Sequence, residues 1–179
     1  GLGNSLGSYH FAQGKSTLGD INGDGVDDIV LFQPFTPMVQ AVIKGQATTV
    51  MDDIRIGGSP ARVAVMKFDG GTQIILGNSN GDLVSITPNG QQLWSASVGT
   101  EEVRGLDDAR VNGKLYLAAA SHNGNFGVYD ANGNPLWTTT TEQLRRMRAY
   151  DLNSDGNSEI LTGGELGEFA IWNAANGTR

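Results

Sequence analysis

Equivalent residues return along this chain at steps of 43, and such a repeat limits it to folds built from small units stacked side by side. Gly81, Gly124 and Gly167 keep the step, as do Asp69-Gly70, Asn112-Gly113 and Asp155-Gly156. So do Ile74, Leu117 and Ile160, then Ile86, Tyr129 and Trp172, and Trp94 with Trp137. A first copy stands slightly further off, with Asp24-Gly25 lying 45 residues before Asp69-Gly70. Four copies therefore span the 179 residues. None is large enough to bury both of its faces alone, so each must use its neighbours as core.

Within a copy the pattern is of short β-forming runs between Gly, Asn and Asp turns. The third copy predicts strands over 102–109, 114–120, 125–129 and 135–139, with turns at Asn112-Gly113, His122 to Gly124 and Asn132-Gly133. The run Glu142 to Arg148 has helical propensity, but its place in the repeat predicts a strand. The abundance of glycine, 26 residues, suits tight turns rather than long helices. The expected fold is all-β, a β-propeller of four-stranded blades occupying one domain over 1–179. Its blades fall at about 14–57, 58–100, 101–143 and 144–179. The last copy stops where its fourth strand should begin. Residues 4–13 are expected to supply that strand and close the ring; the alternative is an arc of a larger propeller.

Two acidic loops carry the chemistry. Asp20, Asn22, Asp24, Val26 and Asp28 occupy alternate positions of the first, and Asp151, Asn153, Asp155, Asn157 and Glu159 those of the second. A hard cation takes about six to eight oxygens, and alternate residues of a tightly turned loop can aim carboxylate and amide oxygens at one point. Position seven offers a backbone carbonyl, from Val26 or Asn157, and Gly25 and Gly156 at position six permit the turn. The twelfth position, where an EF-hand places its closing glutamate, holds Leu31 or Thr162, so Asp28 and Glu159 at position nine are the closing carboxylates. Two calcium ions are the expected cofactors. The competing reading is an Asx-rich turn bonded only to its own backbone.

These loops, each running into a β-forming segment, resemble the FG-GAP/VCBS repeats of the integrin-α-type propeller. That resemblance implies structural calcium sites and a binding or adhesion role. The Gly124, Asn132-Gly133, Leu136-Trp137 run also resembles, less specifically, the PQQ-like propeller repeat. In copies two and three the ligand places hold Val65, Lys67 and Gln73, or Arg110, Asn112 and Tyr116, which depart from the pattern. There Lys67 beside Asp69 and Arg110 beside Asp108 could replace an ion's charge.

The chain is not expected to be an enzyme. It has no cysteine, and His10 and His122 lack a spaced second ligand. Gly14-Lys15-Ser16 lacks the upstream glycine of a phosphate loop. Neighbouring carboxylates such as Asp27-Asp28 and Asp107-Asp108 point to opposite faces of a strand. Trp94 and Trp137 are expected to pack blade against blade. A formal charge of −7 argues against nucleic-acid partners, and no apolar run is long enough to span a membrane.

The sequence thus predicts a calcium-binding propeller acting as a binding, adhesion or assembly module. Its partner would be a protein or a polysaccharide, with self-assembly through the N-terminal strand a further option. An extracellular, cell-surface or periplasmic location would follow from the calcium loops. The alternatives are a subunit of a surface fibre or adhesin, and a fragment of a carbohydrate-active propeller enzyme.

Overall fold

The computed structural model describes residues 14–33, 38–43, 46–51 and 56–179. Fifteen strands and no helix occur among them. The expected strand at 4–13, with His10, lies outside the described residues.

The first sheet is β1 (Lys15–Gly19), β2 (Asp28–Gln33), β3 (Met38–Ile43) and β4 (Gln46–Met51), paired antiparallel in chain order. β5 (Pro60–Phe68), β6 (Gly71–Asn78), β7 (Asp82–Ile86) and β8 (Gln92–Ser97) form the second in the same order. β9 (Val103–Val111), β10 (Lys114–Ser121), β11 (Asn125–Tyr129) and β12 (Pro135–Thr140) form the third. β13 (Leu144–Tyr150), β14 (Glu159–Gly164) and β15 (Phe169–Asn173) form a fourth of three strands. The run with helical propensity is therefore strand β13, because only an extended chain can pair with β14 from Leu144 to Tyr150.

Each sheet is one blade. The first strands β1, β5, β9 and β13 lie side by side in that order and surround the axis. Among the described residues β13 and β1 share no packing comparable to that between the other neighbouring first strands.

The sequence alternation explains the core. A second strand is covered on both sides, so successive side chains enter different blade interfaces. Ile74 and Leu76 of β6 pack with Val30, Phe32 and Val39 of the first blade, while Ile75 packs with Val103, Leu117 and Ala119 of the third. Ala118 and Ala120 of β10 face the other way, onto Phe126, Met147, Ile160 and Trp172. Phe126 meets both Trp137 and Trp172 edge to face, at ring-centre distances of 5.7 and 5.1 Å. Aliphatic and aromatic residues at period two thus become three inter-blade cores.

Going up each first strand and down the second puts the β1–β2, β5–β6, β9–β10 and β13–β14 connections on one rim. The third-to-fourth-strand turns share it. The second-to-third-strand turns and the links between blades lie on the opposite rim.

Candidate metal loops

Both acidic loops are first-to-second-strand connections, one in the first blade and one in the fourth, and both lie on the same rim. They are built alike. The carboxylate at position one accepts the N–H of position six, Asp20 from Gly25 at 3.0 Å and Asp151 from Gly156 at 2.9 Å. The amide oxygen at position three accepts the N–H of position five, Asn22 from Asp24 at 2.8 Å and Asn153 from Asp155 at 2.9 Å. Position five accepts from position seven, Asp24 from Val26 at 3.0 Å and Asp155 from Asn157 at 2.8 Å. Position nine reaches back to position two, Asp28 to Ile21 at 3.2 Å and Glu159 to Leu152 at 2.9 Å. Gly25 and Gly156 adopt φ of 82° and 86°, a region where a Cβ meets the following carbonyl.

The same four bonds fold the named side chains back onto the loop backbone in two loops of different sequence. The donor set is all oxygen, carboxylate and amide with backbone carbonyls, which is the chemistry a calcium ion takes. As the loops lie, amide nitrogens stand among the carboxylates: Asn153 donates to Asp155 at 3.1 Å and to Glu159 at 3.4 Å, and Asn22 donates to Asp28 at 3.4 Å. Such an N–H group partly offsets carboxylate repulsion, and an ion would displace it. The backbone N–H of Asn157 holds the Asp155 carboxyl below its ordinary range. Among the described residues no group of three or more His, Asp or Glu side chains already forms a metal-holding cluster.

The loops differ in surroundings. Asp28 is buried at the start of β2. The second loop is stitched to the third blade: Ser158 donates its N–H to the Arg110 carbonyl at 2.7 Å, and its hydroxyl accepts the Arg110 N–H at 2.9 Å. Asn157 accepts the N–H of Asn112 at 2.7 Å. Copy three, which departs from the ligand pattern, therefore uses its turn as a seat for the loop of copy four. Sequence spacing holds no sign of this contact.

The opposite rim carries a second polar group. His122 lies between two carboxylates, Nδ1 at 2.6 Å from Glu101 and Nε2 at 3.2 Å from Glu165, and so joins the third blade to the fourth. Hydrogen bonds to Glu165 and Glu101 raise its pKa, and the bond from His122 lowers that of Glu165. Both ring nitrogens are occupied by different carboxylates, so the group is an ionic clasp and not a nucleophile–base pair. Glu165 is the copy-four equivalent of His122, 43 residues on. Along the axis stand Arg62, Arg104 and Arg146, which the sequence reading passed over, although their step of 42 residues was visible.

Trp94 and Trp137 pack between blades as expected. Each donates its indole N–H to a backbone carbonyl of the next blade, Ala131 at 2.9 Å and Ala174 at 2.7 Å. Asp107 accepts the Ala149 N–H at 3.0 Å, while Asp108 is exposed.

No family model matches the chain, and no curated protein does. Solved structures do. One is the crystal structure of BBS1N in complex with ARL6DN soaked with mercury: 16% identity, TM-score 0.68, covering 90% of this chain and 50% of the other. A second is the same complex soaked with lead: 18% identity, TM-score 0.63, covering 87% and 48%. The chain thus spans about half the length of the solved chains it matches. These neighbours correct one expectation: they point away from the extracellular, cell-surface or periplasmic location inferred from the loops, and it is not retained. Among the described residues no helix is long and apolar enough to cross a membrane. At such identities the likeness carries the fold, and with the blade order above it establishes this chain as a β-propeller.

Proposed function

We propose that this chain is a non-enzymatic binding or assembly propeller whose two acidic loops hold structural calcium. The observation that carries the metal half is the set of four hydrogen bonds that the two loops share. Asp20, Asn22, Asp24, Asp28 and the Val26 carbonyl would hold one ion. Asp151, Asn153, Asp155, Glu159 and the Asn157 carbonyl would hold the other. Bound calcium supplies charge neutralisation and stiffness, and its binding free energy adds to that of folding. Because the second loop is seated on Arg110 and Asn112, stiffening it also braces the third blade against the fourth. The FG-GAP/VCBS resemblance of the loops favours the same reading.

A protein partner is supported by the solved neighbours, which are BBS1N in complex with ARL6DN. Rigid blades with short turns at both rims suit such a role, since connecting loops on a fixed scaffold make the contacts.

The test is calcium titration by calorimetry on chelator-stripped protein, with melting followed in parallel, for the parent chain and for Asp24→Ala and Asp155→Ala. Two bound ions, each lost with its own substitution, and a calcium-dependent rise in melting temperature are expected. No binding at millimolar calcium would reduce the loops to Asx turns. Incubation with soluble oligosaccharides is expected to release no reducing ends; their release would replace binding with glycan cleavage.

A second reading, self-assembly through the fourth blade, is favoured by one observation. Phe169 and Ile171 of β15, the edge strand of its sheet among the described residues, are 61% and 42% exposed. An apolar sheet edge is a site for pairing with another chain. Sedimentation that shifts with protein concentration supports it, and concentration-independent monomer removes it.

A further inference from the structure

Between the first strands lies an open cavity of about 700 Å³, lined mainly by β1, β5, β9 and β13. Its lining is cationic in a protein of net charge −7. Arg62, Arg104 and Arg146 line it toward the rim opposite the acidic loops, Arg148 stands further along β13, and Lys67 and Arg110 line it nearer the loops. Among the described residues two carboxylates, Asp107 and Asp108, contribute to the lining. Arg62 and Arg146 hold equivalent places in the second and fourth blades, paired with Gly77 and Gly163, while Arg104 occupies the adjoining bulge position in the third. Arg62, Arg104 and Arg146 recur at a step of 42 near the starts of three successive first strands. The topology thus gathers them around one mouth of the cavity. Arg148, two residues along β13 from Arg146, faces the same way because side chains alternate.

Like charges repel, and five guanidinium groups lining one cavity are not what stability alone would select. Their protein partners are few. Arg62 spends its donors on backbone, with Nε on the Arg104 carbonyl at 3.1 Å and a terminal nitrogen on the Ala61 carbonyl at 2.7 Å. Arg104 reaches Glu102 at 3.3 Å through one terminal nitrogen, yet its Nε is buried and has no hydrogen-bond partner. Arg146 bonds the neighbouring Arg145 carbonyl, and Arg148 stands 3.7 Å from Asp107. A buried N–H of a charged group without a partner is costly, so the Arg104 Nε, which finds no acceptor among the described residues, is open to one from a ligand.

We propose that the axial cavity binds a small multivalent oxyanion, a phosphate- or carboxylate-bearing molecule, through the forked guanidinium groups of Arg62, Arg104, Arg146 and Arg148. Guanidinium forks match the paired oxygens of phosphates and carboxylates, which a lysine point charge does not. The volume falls within the range of small-molecule sites, about 300–1,000 Å³. An oxyanion there neutralises the cluster and satisfies Arg104 Nε. Burial first, and then the charges of Arg146, Arg104 and Arg148, lower the Arg62 pKa against the opposing pull of Glu102, which fits a cluster lacking counter-charge.

The test is calorimetric titration of the full chain with pyrophosphate and, separately, with citrate, at an ionic strength of about 0.15 M. Saturable binding of at least one anion with one site per chain is expected. A preference for pyrophosphate assigns a phosphate ligand, and one for citrate a polycarboxylate. Arg104→Gln and Arg148→Gln are each expected to weaken binding by about tenfold or more, the loss of one charge-assisted fork. Arg104→Lys should weaken it too, since the charge stays but the fork goes. Lys114→Gln, on the opposite rim, should leave affinity unchanged. If Arg104→Gln fails to fold, the exposed Arg148 carries the comparison. Absence of saturable binding with both anions overturns the proposal. So does unchanged affinity in Arg148→Gln, or an equal loss in Lys114→Gln, which would indicate bulk charge and not a site.

Discussion

Trp137 donates its indole N–H to the carbonyl oxygen of Ala174 at 2.7 Å, and Trp94, one repeat earlier, makes the same bond to Ala131 at 2.9 Å. Each outer strand is thereby fastened to the turn that follows the third strand of the next blade, so the repeat specifies inter-blade hydrogen bonds as well as inter-blade packing. Trp137→Phe keeps most of the ring and removes the donor. It is expected to cost about 1 kcal/mol in urea unfolding, the net worth of one hydrogen bond. Trp137→Ala, which also empties the contact with Phe126, is expected to cost about 3 kcal/mol. Equal losses in the two variants would show that the bond, and not the ring, holds the blades.

The tryptophan also sets the size of the turn beneath it. Gly133 has φ of 78°, and a Cβ there would lie 2.6 Å from Cε3 of Trp94. Gly156 has φ of 86°, but its Cβ would meet nothing within 4 Å. Gly156→Ala is therefore expected to cost only the left-handed backbone term, about 1–2 kcal/mol. Gly133→Ala should cost that and more, because Trp94 must shift. Thermal melts of the two variants side by side check the difference.

The His122 clasp should make stability depend on pH in a bounded window. Its pKa is raised by Glu165 and Glu101 above the ordinary 6.5, so its contribution is complete below 6.5 and fades as pH rises through the folded value. Glu165 is lowered below its ordinary 4.5, so its contribution is complete above 4.5 and fades as pH falls through the folded value. The clasp is thus strongest between about pH 4.5 and 6.5. His122→Asn, compared with the parent in melts across pH, should lose melting temperature within that window and converge on the parent at higher pH. A difference that does not vary with pH would remove the imidazolium from the account.

Ser158 links the second acidic loop to the third blade with both its N–H and its hydroxyl. Ser158→Ala leaves the Arg110 N–H without its acceptor in a partly buried position, at a cost of about 1–2 kcal/mol. If calcium stiffens this loop, the melting gain on adding calcium should also shrink in Ser158→Ala while the number of bound ions stays unchanged. Calorimetry and melts on the same samples separate the two effects.

Much of this was legible in the chain. Gly81, Gly124 and Gly167 set the period, the period implied blades, and strands β9 to β12 lie within a residue or two of their predicted spans. Glu142 to Arg148 was readable as strand only because its copies were, which shows repeat context outweighing local propensity. The acidic loops were legible too, since turn chemistry is local: each of the four bonds they share joins residues at most seven apart.

What the residues determined alone was therefore everything local or periodic: strand alternation, turn positions, and oxygen donors at alternate places in two loops. Only the tertiary structure decided which side chains from different blades meet. Glu101, His122 and Glu165 are up to 64 residues apart, and Arg62 and Arg146 are 84 apart. Nothing in their neighbourhoods marks them as partners. They converge because first strands surround a common axis and equivalent turns share a rim, so contact follows from the rotation between blades and not from distance along the chain.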